Sequence, residues 1–173
     1  SDGVIEYAFG TNATTAPTGG WTSKENIKKT DAGTYYVWAR VKADSNVNLG
    51  DACYQGYVEI ANAQGQITKD PTIYNSNDLV SENGVYLITK DCTSTAGSEA
   101  KPEYYISTED VAPDNNATWV NRLNTKRYAP GIYYIWYRCA ETDNYYDSSY
   151  NPAQPDKPMY GKIQVALKGN IPV

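Results

Sequence analysis

The sequence has no histidine, a single phenylalanine, a single methionine and only three cysteines among its 173 residues. Histidine is the side chain that most often moves protons near neutral pH and ligates metals, so its absence excludes Ser-His and Cys-His catalysis. The cysteines, Cys53, Cys92 and Cys139, lack the Cys-x-x-Cys spacing of a zinc cluster. If a disulfide forms, we favour Cys92 with Cys139, which both lie in the later part of the chain. Three small buried thiols are an equally good interpretation.

Long hydrophobic runs and clustered positive charge are missing as well. No run approaches the ~18 apolar residues of a membrane span, so we predict no membrane insertion. The net charge of −5 and the isoelectric point near 4.7 argue against binding to nucleic acid or to an anionic membrane, because both need clustered Lys and Arg. The start at Ser1 has no signal-peptide core, and we expect the chain to be a fragment of a larger protein.

Tyrosine is abundant instead, because the chain has 17 Tyr in addition to 4 Trp. A composition rich in Tyr, Thr and Val favours β-strands, and 13 Gly and 9 Pro between short alternating runs are typical of strands joined by turns. The alternating run Val4–Gly10 predicts a strand, Tyr160–Leu167 predicts the closing strand, and no apolar stretch keeps a helical period. The sequence therefore predicts an all-β protein whose buried area comes largely from amphipathic aromatic side chains.

One segment, Asp31–Val41, occurs a second time as Ala129–Cys139, 98 residues later and without a gap. This recurrence predicts two tandem modules, residues 1–65 and residues 66–173, each built of antiparallel strands. The shared positions are Gly33 with Gly131, Tyr35 with Tyr133, Trp38 with Trp136, and Arg40 with Arg138.

The second copy is preceded by a leader, Lys69–Lys101, that the first copy lacks. Its best strand candidate is Val85–Thr89, and Asp78–Val80 is a weaker one. A shift of 98 residues places the counterpart of this leader before Ser1. We therefore predict that the first module lacks its opening strands, and that its sheet shows an open edge or apolar face which another segment or molecule fills.

The repeated strand has two different faces. Tyr35 and Val37 point to one side, whereas Tyr36, Trp38 and Arg40 point to the other. Alternation does not decide which face is core, although Arg favours the solvated side. If the Arg face is exposed, Trp38 and Trp136 form aromatic platforms that bind sugar rings or a partner protein.

The last hairpin loop of the second copy carries an insertion, Tyr145–Pro158. Gly56 aligns with Gly161, which leaves seven extra residues in the second copy. Tyrosine mixed with Ser and Asn is typical of antibody paratopes, where Tyr gives a large contact area at low entropic cost. Three prolines reduce the flexibility of the free loop and so the cost of ordering it. The predicted ligand-binding residues are Tyr145, Tyr146, Tyr150, Asn151, Trp38 and Trp136.

The twenty acidic residues supply candidates for glycosidase chemistry and for calcium binding. No acidic pair recurs at a strand end, which argues against an enzyme. Asp143, Asp147 and Asp156 lie near one another, but no Asp-x-Asp-x-Asp-Gly run is present, so turn formation explains them better. We predict no catalytic residue, no metal site and no cofactor.

Asp31–Val37 resembles the Asp-x-Gly/Ala-x-Tyr-x-Cys start of strand F in immunoglobulin domains. In that family the Tyr forms the tyrosine corner and the Cys joins the inter-sheet disulfide. Tyr35 and Tyr133 match the corner tyrosine. Val37 and Ile135 stand in the Cys position, so the family disulfide is absent there.

The wider pattern resembles the tandem bacterial immunoglobulin-like repeats of secreted and wall-anchored surface proteins from gut Firmicutes. The resemblance implies tandem immunoglobulin-like antiparallel β-sandwich modules in a non-catalytic, extracellular segment at the bacterial cell surface. Neighbouring repeats of the parent protein are then expected partners. The matching stretches are Tyr7–Thr11, Ala16–Trp21, Asp31–Trp38 and Asp143–Tyr145.

Three functions are compatible with such repeats, because a fold does not fix a function. We expect an adhesin that binds a host protein or glycoprotein. Immunoglobulin and glycans are among its candidate ligands. The alternatives are a structural stalk without a ligand and a carbohydrate-binding module of a larger enzyme. An adhesin predicts exposed tyrosines at one end, a stalk predicts buried insertion tyrosines, and a carbohydrate module predicts coplanar aromatic rings along a sheet face.

Overall fold

A computed structural model describes residues 3–74 and 82–169. The chain divides into two compact units, Ser1–Asn62 and Ala63–Val173, which are called here the first unit and the second unit. The strand prediction for Asp78–Val80 lies outside the described residues.

The first unit contains one antiparallel sheet of three strands, β1 (Ile5–Gly10), β2 (Gly33–Val41) and β3 (Cys53–Ile60). The longest strand, β2, lies in the centre and pairs with both neighbours. The register between β2 and β3 shifts next to Val37, where Gly56 has a φ of 127°. That left-handed conformation favours glycine, and the extra residue forms a β-bulge in β3.

The second unit begins with five short strands in the leader, which we define from here on as residues 66–101. None of them is longer than three residues, and each forms only a two-stranded pair. The strands are β4 (Ile67–Lys69), β5 (Thr72–Ile73), β6 (Val85–Tyr86), β7 (Ile88–Lys90) and β8 (Thr93–Ser94). β4 pairs with β8 and β5 pairs with β7, so the leader folds back on itself.

The main sheet of the second unit follows the leader. Its strands are β9 (Pro102–Ser107), β11 (Gly131–Cys139) and β12 (Gly161–Leu167), in the order β12-β11-β9. A further short strand, β10 (Lys126–Arg127), pairs with β6 of the leader. The central strand β11 thus takes the same place that β2 takes in the first sheet.

The prediction of an all-β protein is confirmed. All described strand pairs of the sheets are antiparallel. In the part of the chain that the structure describes, helix is limited to two 3-10 turns, Gly97–Glu99 and Arg122–Asn124. None of the described helices is long and apolar enough to cross a membrane.

The core of the second unit lies between the main sheet and the leader. The side chains of Tyr133, Ile135, Tyr137 and Cys139 all point to this side of β11 and are buried. Leu87 and Ile88 of the leader close over them and are fully buried as well. The sequence did not decide which face of the repeated strand is the core face. In the second unit it is the face opposite Arg138.

The same face of the first sheet is not enclosed. Tyr35, Val37 and Ala39 stand at the positions of Tyr133, Ile135 and Tyr137, but each is only half-buried. Ile5 and Val58 on the same face are half exposed. Among the described residues of the first unit, no second layer covers this face.

Candidate functional site

The insertion between β11 and β12 begins by folding back onto β11. The backbone N–H of Cys139 donates to the Ser148 hydroxyl at 2.8 Å, and the Ser148 N–H donates to the Cys139 carbonyl at 3.0 Å. These two bonds bind the beginning of the insertion to the last residue of the central strand. The loop therefore has a fixed starting point on the sheet.

Asp147 organises the tight turn next to this anchor. Its Oδ1 accepts from the backbone N–H of Ser149 at 2.7 Å and from the Ser149 hydroxyl at 2.6 Å. Its Oδ2 lies 3.6 Å from Nη1 of Arg138 on β11. A carboxylate that bonds its own backbone two residues on is typical of an Asx turn, so Asp147 serves structure at this place.

Tyr146 and Tyr150 form a stacked pair at the surface of the insertion. Their ring centroids are 4.5 Å apart, and the ring planes meet at 28°. Tyr146 is 38% exposed, whereas Tyr150 is half-buried. The stack holds the exposed ring in one orientation, which lowers the entropic cost of a contact made through it.

The segment before β4 holds the other side of the insertion. Ala63 forms a parallel bridge with Tyr145, and its carbonyl accepts from the Tyr146 N–H at 3.0 Å. The Gln64 amide donates to the Tyr150 carbonyl at 2.8 Å. Gly65 is packed so closely that a Cβ there would collide with the Tyr146 carbonyl oxygen. The insertion is consequently a preformed loop.

Asn151 uses its side chain within the insertion. Its Oδ1 accepts from the backbone N–H groups of Ala153 at 3.2 Å and Gln154 at 3.3 Å. Its Nδ2 donates to the Lys157 carbonyl at 3.3 Å. Both polar ends of the amide are thus engaged in holding the turn.

The two predicted tryptophans lie on the opposite face from the core, yet both are covered. Trp38 is 6% exposed and Trp136 is 4% exposed. Trp38 packs on Tyr54 at 5.6 Å with a tilt of 55°, and Trp136 packs on Tyr105 at 5.9 Å with a tilt of 54°. These rings are neither accessible nor coplanar, which leaves little surface for a sugar ring.

A second repeated feature on this face went unnoticed in the sequence. Arg40 bonds Glu6 at 2.7 Å and lies 4.1 Å from the ring centroid of Trp21. In the second sheet Arg138 and Glu103 are 2.9 Å apart. The Arg138 guanidinium lies 4.4 Å from the ring centroid of Trp119, the counterpart of Trp21. Each sheet therefore carries one arginine held between a carboxylate and an indole. Only the cross-strand register, which the sequence does not display, brings these groups together.

The cysteines are free thiols in the structure. Cys53 is exposed, and Cys92 and Cys139 are buried with their Sγ atoms 3.7 Å apart. The hydrogen bond with the Cys92 thiol lowers the pKa of Cys139, and burial opposes this shift. The pKa of Cys92 is raised, first by its hydrogen bond to Cys139 and then by burial. The contact joins the leader to the last residue of β11.

Among the described residues, no group of three or more Cys, Asp or Glu side chains lies close enough together to hold a metal ion. Comparisons of the chain with protein-family models, with curated proteins and with solved structures found no match.

Proposed function

We propose that the chain forms tandem immunoglobulin-like β-sandwich modules of an extracellular, non-catalytic segment of a bacterial surface protein. Its function is adhesion, in which the insertion of the second module binds a host protein or glycoprotein. Immunoglobulin is among the candidate ligands. The observation that carries the binding proposal is the stacked pair of Tyr146 and Tyr150 on a preformed loop.

The immunoglobulin-like fold is supported by two matching hydrogen bonds. The Tyr35 hydroxyl donates to the Asp31 carbonyl at 2.8 Å, and the Tyr133 hydroxyl donates to the Ala129 carbonyl at 3.0 Å. In both cases the acceptor lies four residues upstream of the tyrosine. This is the bonding pattern of the tyrosine corner in immunoglobulin-type sandwiches.

The binding role is supported by how the insertion distributes its polar groups. The backbone and the side chains of Ser148, Asp147 and Asn151 hold the loop, and the Tyr146 ring stays 38% exposed on it. A rigid aromatic ring gives contact area while losing little conformational freedom. A partner protein with a shallow apolar depression fits such a surface.

One observation favours a second candidate function, a stalk without a ligand. Tyr145 and Tyr150 are half-buried, and they contribute to the attachment of the insertion to Ala63 and Gln64. An insertion that only stiffens the end of a module would show the same contacts. The exposed ring of Tyr146 is what a stalk does not need.

A binding screen distinguishes the two functions. The purified chain is tested against mucin glycans, plant polysaccharides and host glycoproteins including immunoglobulins, by surface plasmon resonance. A triple variant, Tyr145→Ala with Tyr146→Ala and Tyr150→Ala, is compared with the single variant Tyr146→Ala. The matched control is Tyr128→Ala, because Tyr128 is 63% exposed in the same unit but lies outside the insertion.

An adhesin gives saturable binding that the control retains and that Tyr146→Ala weakens about tenfold or more, which corresponds to about 1.4 kcal/mol. Binding that survives the triple variant moves the site away from the insertion. No binding to any member of the panel supports the stalk.

A further inference from the structure

The first sheet has an apolar face that its counterpart in the second unit buries. We call it the open face. Val58 and Val165 pair with the two corner tyrosines at equivalent register positions, yet Val58 is 51% exposed and Val165 is 1% exposed. The open face consists of Ile5, Tyr7, Phe9, Tyr35, Val37, Ala39, Val41, Cys53, Val58 and Ile60.

In the second unit, the leader docks on this face through a tyrosine. The Tyr104 hydroxyl donates to Asp91 Oδ1 at 2.9 Å and accepts from the Cys92 N–H at 3.2 Å. The matching residue of the first sheet is Tyr7. Tyr7 exchanges two backbone hydrogen bonds with Thr22, and Tyr104 exchanges the same two bonds with Val120. Tyr7 therefore presents its hydroxyl where a leader would be bound.

Two basic residues repeat in the same way. In the second unit, Arg122 lies 3.4 Å from Asp91, and Lys126 lies 5.5 Å from the ring centroid of Tyr86 in the leader. Their counterparts, 98 positions earlier, are Lys24 and Lys28. Among the described residues neither lysine forms a salt bridge. The rim of the open face thus has the positive charge that complements an acidic, aromatic leader.

The backbone of the first unit offers the matching edge. In the second unit β6 pairs with β10, and the Leu87 N–H donates to the Thr125 carbonyl at 3.2 Å. The corresponding segment, Ile27–Lys29, lines a groove of about 430 Å³ next to Phe9 and Val58. Apolar side chains of a leader fill such a groove while its backbone pairs with the edge.

A second groove on the open face lies at a place where the two units have different residues. Ala39 replaces Tyr137, whose hydroxyl donates to Asp70 Oδ1 at 2.6 Å in the second unit. A groove of about 190 Å³ beside Ala39, lined also by Ile5 and Cys53, takes the place of that ring. A leader-type segment that fills this groove needs a large apolar side chain where the leader has Asp70.

We propose that the open face is the docking site for a polypeptide segment of the leader type, which lies against this sheet as the leader lies against the main sheet of the second unit. The segment places apolar side chains on β1, β2 and β3. Its carboxylate accepts from the Tyr7 hydroxyl and pairs with Lys24. This inference is independent of the proposed ligand of the insertion, because it concerns the other unit.

The test fuses a second copy of residues 66–101 ahead of Gly3 in the full chain. The fused copy carries Asp70→Leu to fill the groove beside Ala39, and Cys92→Ala so that it adds no thiol. Cys53 is the reporter, because its exposed thiol lies on the open face. We expect maleimide labelling of Cys53 and amide exchange of β2 and β3 to slow about tenfold or more, with β11 and β12 unchanged.

A matched fusion with Leu87→Asp and Ile88→Asp in the added copy should leave both rates as in the unfused chain. Tyr7→Phe in the intact fusion should restore part of the labelling. The free leader peptide, added in increasing concentration, should give the same protection with saturation. Equal protection by the Asp-substituted fusion, or none by either form of the leader, overturns the proposal. So does concentration-dependent protection of the unfused chain, since the occupant is then a second copy.

Discussion

Val58 and Val165 occupy the same register position in two sheets of the same strand order, opposite tyrosines that make the same corner bond. One valine is half exposed and the other is buried under the leader. The strands thus form in both units, whereas the apolar face is buried only in the second unit, by a separate stretch of about 35 residues. A repeat in sequence therefore need not be a repeat in burial.

The largest difference between the units is expected at high pH. Burial raises the pKa of Tyr104 and of Tyr137, and their hydrogen bonds to Asp91 and Asp70 raise it further. A raised pKa means that the folded state keeps protons which the unfolded state releases above pH ~10. The second unit should lose about 1.4 kcal/mol of stability per pH unit for each phenol as the pH rises beyond that value.

The measurement is the urea midpoint by circular dichroism between pH ~9 and ~11.5, a window set by the ordinary tyrosine pKa. Below that window the two phenols should contribute no pH dependence. The double variant Tyr104→Phe with Tyr137→Phe should flatten the slope. An unchanged slope in this variant would show that other groups drive alkaline unfolding.

The valine pair gives the next largest contrast. Val165→Ala removes two buried methyl groups and leaves a cavity, so it should cost about 2 kcal/mol. Val58→Ala is the matched control and should cost less than about 0.5 kcal/mol, because its side chain is half exposed. Amide exchange of β12 and of β3 reports each unit separately. Equal losses would mean that something covers the open face.

Strand positions followed well from the sequence, and the physical reason is alternation. The run from Val4 to Gly10 predicted a strand, and β1 covers Ile5–Gly10. The run from Tyr160 to Leu167 predicted another, and β12 covers Gly161–Leu167. Two-residue periodicity is a local property, so it survives whatever packs on the strand.

Pairing partners did not follow from the sequence. The run Val85–Thr89 was predicted as one strand, but it bends at Leu87 between β6 and β7. The Leu87 and Ile88 N–H groups donate to the carbonyl and hydroxyl of Thr125, and the chain changes partner there from β10 to β5. Thr125 is far from the leader in sequence, and so no local pattern announces the break.

The alignment of Gly56 with Gly161 was wrong for a related reason. Gly56 pairs with Val37, whereas Ile135, the counterpart of Val37, pairs with Ile163. The loop between β11 and β12 is ten residues longer than the loop between β2 and β3, and the bulge in β3 reduces this offset to nine at Gly56. Similar sequences around two glycines concealed this shift.

The sequence predicted which residues form the candidate site, but it did not predict the contacts that hold the insertion in place. The Tyr, Ser and Asn content of the insertion singled out Tyr145, Tyr146, Tyr150 and Asn151. The side chains of Gln64 and Ser148 hold the loop to its unit by bonding backbone groups of other residues. Gln64 donates to the Tyr150 carbonyl, and Ser148 accepts from the Cys139 N–H. Such contacts depend on topology rather than on residue type, so composition does not reveal them.

A smaller contrast concerns the docking tyrosines. Tyr104→Phe leaves the buried Cys92 N–H without its acceptor, and we expect a loss of about 1–2 kcal/mol in the second unit. Tyr7→Phe removes only a hydroxyl from the open face and should change the first unit by less than about 0.5 kcal/mol. Thermal unfolding with amide exchange of β9 and β1 resolves the two effects. A large effect of Tyr7→Phe would reveal a partner for its hydroxyl in the free chain.

The smallest expected contrast is at the tyrosine corners. Tyr35→Phe and Tyr133→Phe each break one hydrogen bond to a carbonyl four residues upstream, at 2.8 Å and 3.0 Å. Each should cost about 1 kcal/mol in its own unit, the usual net value of such a bond. The corner bond is local to the start of the strand, so the leader should make little difference to it. Amide exchange of β2 and β11 in the two variants measures this, and a loss confined to Tyr133→Phe would mean that the corner needs a closed core to contribute.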